Sequence, residues 1–418
     1  MKRLKFLLAL VILLSQTVDA APLKTGWRIS GLPFVGYMYD SGFQLGAVAT
    51  ACDYGWLPSL YPDYYSRITA EFSYFTKGQM LASAGFESSY LVPGVELKAF
   101  AAYRNTPYRS FYGFNGFEDY HSAWDRNADR SLAWYSMKNS SLTATVTMQG
   151  KIYAGLDWLA GLSFRNFTIG NISGDAYSDN TLYGEYLTKG IIAQDEAHGG
   201  NLLEVTAGLE YSSTDGKLSP QRGIVADLFG VGGMETGRSS YLKLCAHFKH
   251  YITPCKCLTL AYHLAYQGTA AGSAPFYIQD HIYSTRADND FDSGLGGYTT
   301  LRGMLVRRLV GDGYAWANAE MRFRLRTWEV KDGTLQLGVN PFFDAGTVVQ
   351  PFRLSEFSSA GYGQSGQLMD RTRRLHCSAG LGVSLQASDI SMISLSAARS
   401  LTDADIRFDW CLSAGFVF

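Results

Sequence analysis

The last thirteen residues, IRFDWCLSAGFVF, alternate without a break between two faces. Ile406, Phe408, Trp410, Leu412, Ala414, Phe416 and Phe418 share one face, and Arg407, Asp409, Cys411, Ser413, Gly415 and Val417 the other. Successive side chains of a pleated strand point to opposite sides, so a strict period of two predicts a strand with one wholly apolar face. A soluble sandwich has no reason to end on such a strand, closed by an aromatic residue. A barrel embedded in a membrane does, because its outer face meets lipid.

The period recurs upstream. In AWANAEMRFRLRT, Ala315, Ala317, Ala319, Met321, Phe323 and Leu325 oppose Trp316, Asn318, Glu320, Arg322, Arg324 and Arg326. An arginine on the lipid side near mid-membrane costs roughly 2–4 kcal/mol. The expectation is therefore that Arg322, Arg324 and Arg326 all look into the lumen, either as a hydrated wall balancing Glu204, Glu210 and Glu320 or as the lining of an anion-preferring pore. Segments of this kind predict strands at about 33–39, 43–53, 64–76, 79–91, 94–105, 133–148, 152–168, 202–213, 222–231, 239–252, 257–268, 314–328, 334–345, 374–386, 389–398 and 405–418. The pattern is weakest where Asn139-Ser140-Ser141 interrupts it. That is sixteen strands, the even number expected of a bacterial barrel. The four long joins, about 106–132, 169–201, 269–313 and 346–373, all follow odd-numbered strands, and short inner turns with long outer loops are the expected asymmetry.

Composition agrees. The chain is 47% apolar and 17% charged, with 27 Tyr and 44 Gly, yet beyond its start it has no run of about 18 apolar residues to make a membrane helix. It opens MKRLKFLLALVILLSQTVDA, a basic start, a short apolar core and a small-residue cleavage site. This predicts a signal peptide over 1–20 and an exported mature chain, with a short periplasmic segment over 21–32 and the barrel over 33–418. A net charge of −1 gives no sign of nucleic-acid binding. The six cysteines (52, 245, 255, 257, 377 and 411) are scattered, and Cys255-Lys256-Cys257 lacks the second pair a zinc site needs. They read as ordinary buried or strand positions.

With the loop 269–313 placed between the eleventh and twelfth strands, the chain resembles the BamA/TamA superfamily of outer-membrane assembly and translocation barrels. In that family the sixth loop carries a (V/L)RG(F/Y) tip that folds into the lumen; here GLGGYTTLRG ends in Leu301-Arg302-Gly303, and Met304 stands where an aromatic is usual. The family's F-x-D-x-G on strand 13 is matched by Phe342, Asp344 and Gly346, and its E-x-R on strand 12 by Glu320 and Arg322. Weaker echoes are Phe111-Tyr112-Gly113-Phe114, Pro220-Gln221-Arg222-Gly223 and Pro275-Phe276-Tyr277. The resemblance implies that Arg302 pairs with Asp344, with Glu320 as a second candidate, and locks the loop inside the barrel. It also implies a weak seam between the first strand (Phe34 to Tyr39) and the last (Ile406 to Phe418), where a client strand could add by edge pairing.

The expected function is insertion of proteins into the outer membrane or their passage across it. The family's members usually carry POTRA domains ahead of the barrel, and the dozen residues after Ala21 are too few to form one. Client delivery would then fall to periplasmic or lipoprotein partner subunits. The alternative is a passive outer-membrane pore or surface scaffold. Enzyme chemistry finds no support: none of the seven histidines lies in a nucleophile or metalloprotease motif, and Asp280-His281 reads as an exposed loop pair. No cofactor or metal is expected.

Overall fold

The computed structural model describes residues 25–38, 42–56, 63–121, 133–172, 181–216, 219–285, 291–330, 333–387, 391–402, 409–414 and 416. Sixteen strands form one closed antiparallel barrel: β1 (Trp27–Met38), β2 (Gly42–Asp53), β3 (Ser66–Phe75), β4 (Met80–Val92), β5 (Val95–Ser110), β6 (Ser136–Tyr153), β7 (Leu156–Gly170), β8 (Asn201–Ser212), β9 (Gly223–Glu235), β10 (Ser240–Cys255), β11 (Leu258–Gly272), β12 (Gly313–Val330), β13 (Gly333–Gln350), β14 (His376–Ala387), β15 (Ser391–Ser400) and β16 (Asp409–Ala414). Each pairs with its sequence neighbours, and β1 meets β16 to close the ring. The expected signal peptide lies outside the described residues.

Alternation sets the facing. Along β8, Leu203, Val205 and Leu209 are exposed toward the membrane, while Glu204 is buried in the lumen on Arg165 of β7 at 2.6 Å. The interrupted stretch at Asn139-Ser140-Ser141 keeps phase inside β6, since Asn139 and Ser141 are buried and Leu142 is exposed. Polar residues there face the interior and do not end the strand.

Three local expectations fail. The first strand starts at Trp27, not near 33, so residues 27–32 belong to the wall. Pro33 sits within it opposite Ala47 of β2. The second correction concerns Arg326. A register irregularity in the β12–β13 ladder pairs Arg324 with Gly338 but Arg326 with Leu337. One extra residue reverses the alternation. Arg322 and Arg324 line the lumen, whereas Arg326 turns to the outer face, its guanidinium 5.6 Å from the Trp328 ring. The third is Phe416, expected on the membrane face with Trp410. It packs instead inside, its ring 3.7 Å from the Arg322 guanidinium, beyond the end of β16.

Four of the long loops pack on one another at the outer end of the barrel. Phe114 of the third loop packs edge-on to Phe352 of the seventh at 4.9 Å, and lies close to Tyr186 on α1 (Leu182–Thr188) of the fourth and Phe276 of the sixth. Phe117 packs on Phe357 of α2 (Leu354–Ser359) at 4.9 Å. Asn115, at φ 61°, exchanges two 2.7 Å hydrogen bonds with the Phe352 backbone, pinning the third loop to the seventh. The cap is thus an apolar core assembled from four loops.

Candidate functional site

The sixth loop descends from this cap into the lumen, and Arg302 is its innermost charge. Its Nη2 and Nε donate to Asp344 Oδ1 and Oδ2 at 2.7 and 2.8 Å, a two-pronged match of planar groups. Its Nη1 donates to Glu320 Oε1 at 2.6 Å, and its backbone N–H adds a 3.1 Å bond to Asp344 Oδ2. The guanidinium also lies 3.5 Å from the Phe342 ring centre. All four residues are buried, Asp344 completely. Burial works against the arginine's charge, but Asp344 and then Glu320 outweigh it and raise its pKa above the usual range.

Neighbouring residues leave the tip one position. Leu301 is fully buried among Leu295, Met304, Leu309, Trp316 and Val348. Gly346 makes room for it: a Cβ there would come within 3.2 Å of Leu301 Cδ2. Gly303 sits at φ +82°, where a Cβ would lie 2.7 Å from the Arg399 backbone nitrogen. Any larger residue would strain the chain and strike β15. Met304, in the aromatic's usual place, is buried in the apolar cluster. The structure thus brings together Leu301, Arg302, Gly303, Glu320, Arg322, Phe342, Asp344 and Gly346.

Sequence reasoning missed Asn318. It faces Asp344 across the β12–β13 ladder, and its Nδ2 donates to Asp344 Oδ1 at 2.9 Å and to the Thr300 carbonyl at 2.7 Å. The signal was present, since alternation puts Asn318 on the same inward face as Glu320. Also missed was a second anchor higher in the loop. Arg109 of β5 donates to Asp280 at 2.6 Å, and Arg307 to the same carboxylate oxygen at 3.0 Å. Burial, aided by Arg109, lowers the Arg307 pKa to about 10. Asp292 receives His281 Nδ1 at 2.9 Å and Arg104 Nη1 at 3.0 Å. His281 is therefore buried and partnered by Asp292, contrary to the exposed pair with Asp280 expected from sequence. Burial would raise the Asp292 pKa, but the His281 hydrogen bond and the Arg104 and Arg109 charges hold it well below the carboxylate norm.

The tip also reaches the seam strand. The Gly303 N–H donates to the Asp409 carboxyl, and Ser413 Oγ donates to Tyr298 OH at 2.6 Å. Glu320 passes the network on, accepting Arg322 Nε at 2.8 Å beneath Phe416. Glu204 belongs to Arg165 and Glu210 to Gln149, so of the acids expected to balance the arginine row only Glu320 does so. Of the seam residues, Phe34 lies on β1 opposite Gly46 of β2; Tyr39, Ile406 and Phe418 lie outside the described residues. A chamber of about 490 Å³ follows the β2–β7 wall and reaches His281 and Asp292 of the sixth loop; Arg67, Glu71, Glu87, Lys98 and Arg104 are among the residues lining it. No group of three or more His, Cys, Asp or Glu placed to hold a metal occurs among the described residues.

Comparison with known proteins agrees with this architecture. The structure of BamA from Haemophilus ducreyi lacking POTRA domains 1–3 superposes with a TM-score of 0.60 at 17% identity, over 94% of this chain and 70% of that one. CdiB from Escherichia coli gives 0.58 at 11% identity, over 95% and 64%, and CdiB from Acinetobacter baumannii 0.52 at 11%, over 94% and 60%. The chain thus spans less than two thirds of either CdiB. At these identities the likeness shows the fold. A search of curated proteins returned no match. The Omp85 superfamily domain matches residues 66–410, most of the barrel, and the chain belongs to that superfamily.

Proposed function

We propose that this barrel inserts proteins into the outer membrane, or passes them across it, through the seam between β1 and β16, with periplasmic or lipoprotein partner subunits delivering the clients. The observation that carries the reading is the imbalance at the seam. Six residues of β16 are described, Asp409–Ala414, and of the β1 positions opposite them Tyr37 alone registers, with Leu412, whereas β1 registers with β2 along its full length. A strand thinly paired along that stretch can offer backbone donors and acceptors to an incoming client strand. The aromatic cap and the lumen-seated loop favour this route over a straight path through the barrel, and disfavour the alternative of a passive pore.

The test is a disulfide across that pair. Tyr37→Cys with Leu412→Cys, in a background with Cys411→Ser, is oxidised in cells and the outer-membrane content of client proteins is compared with the reduced state. Loss of clients on oxidation, restored by reductant, supports the reading. Unchanged client levels with the bond formed would exclude an opening seam. Steady solute conductance by the purified barrel in planar bilayers would then favour the passive pore.

A further inference from the structure

The tight turn joining β10 to β11 carries the motif Cys255-Lys256-Cys257, which has no part in the loop lock. Cys255 pairs with Leu258 across the ladder, leaving Lys256 and Cys257 as the turn. Both cysteines are exposed, and their sulfurs lie 2.8 Å apart. The Cys257 carbonyl accepts the Arg324 backbone N–H at 2.8 Å, which fixes the turn against β12. The other four cysteines are buried or partly buried, and none is bonded to another. The capping loops all follow odd-numbered strands, so a turn following β10 lies at the opposite, periplasmic end of the barrel.

We propose that Cys255 and Cys257 form a reversible dithiol–disulfide couple that exchanges with disulfides and thiols on the periplasmic side. Oxidation breaks two S–H bonds and forms one S–S bond; two electrons and two protons pass to a disulfide-bearing oxidant, which leaves as two thiols. Three physical facts point to exchange and away from a staple. A bridge that closes so short a loop removes little freedom from the unfolded chain, so it adds little stability. Bridges that are strained or exposed are the readily reduced ones. Both sulfurs are open to a partner, and exchange requires such access. The inference rests on the strand order and the turn, not on the seam, so it stands or falls separately from the proposed function.

The full chain in detergent is equilibrated in buffers of graded reduced to oxidised glutathione, quenched with acid, alkylated and digested with trypsin. Cleavage after Lys256 separates the two cysteines unless a disulfide joins them. The expected result is a linked peptide pair that gives way to two alkylated peptides as reduced glutathione rises. Cys255→Ser and Cys257→Ser should each lose the linked species and carry a glutathione adduct on the remaining thiol. Three results would overturn the proposal: alkylation of both thiols at every ratio, a linkage that survives excess reduced glutathione, or protection of both thiols by added Zn²⁺ with no disulfide formed.

Discussion

Asn318 and Asp344 stand opposite each other across the β12–β13 ladder, and the asparagine amide holds one carboxylate oxygen while Arg302 takes both. The barrel wall thus helps to orient the acid for the arginine. Arg302→Ala leaves Asp344 and Glu320 buried with one partner fewer, and Asp344→Ala leaves the buried arginine on Glu320 alone. Each should destabilise by about 3–5 kcal/mol, the usual cost of breaking one side of a buried pair. The double variant should cost less than the sum by roughly 1 kcal/mol or more. Denaturant unfolding of the four proteins in detergent reads this directly, and strict additivity would mean the pair is not coupled.

Gly303→Ala tests the tip without touching a charge. The left-handed backbone at φ +82° and the 2.7 Å approach to Arg399 both oppose a methyl group. Such strain costs on the order of 1–3 kcal/mol, and the tip should lift from β15. Proteolysis of the intact barrel should then reach the loop. Gly361→Ala, also at positive φ but with nothing near its Cβ, is the control and should leave protection unchanged.

The upper anchor has a defined acid limit. Asp292 has a folded-state pKa well below its ordinary value, and the unfolded value is about 3.9. Its stabilisation is therefore full above the unfolded value and is lost as pH falls through the folded one. Loop protection should persist at about pH 4 and fail only in stronger acid. Asp292→Asn should remove that part of the pH dependence. A wild-type transition at or above the normal aspartate value would contradict the assignment.

Phe114→Ala tests the cap, since this ring touches the third, fourth, sixth and seventh loops. The loss should be roughly 3–5 kcal/mol, typical of a buried aromatic, and confined to the loops. Hydrogen exchange should quicken across them while the strands stay protected. Equal acceleration in β2 to β4 would show that cap and wall unfold together.

Much of this was legible in the sequence because a membrane barrel repeats one rule: lipid on one side, water and polar groups on the other. That rule gave sixteen strands and placed Asp344, Glu320 and Arg322 inward. It failed where the period itself is broken, at Leu325, whose extra residue turns Arg326 outward, and past Ala414, where Phe416 leaves the strand. Contacts between distant loops were beyond it. Nothing in the spacing of Arg109 and Asp280, or of Phe114 and Phe352, says that the chain brings them together.

The lumen is unevenly filled. The loop tip packs against the wall from β11 to β16, while a chamber of about 490 Å³ runs along β2 to β7 and reaches His281 and Asp292 of the loop. A smaller chamber of about 160 Å³ lies between β11 and β14, so the room for water is greatest on the half of the circumference next to β1. The half next to β1 is cushioned by solvent and can bend without disturbing a packed core. The half ending in β16 is braced by the loop. If the two edges of the seam ever part, the stiff side is the doorframe and β1 with its neighbours is the door.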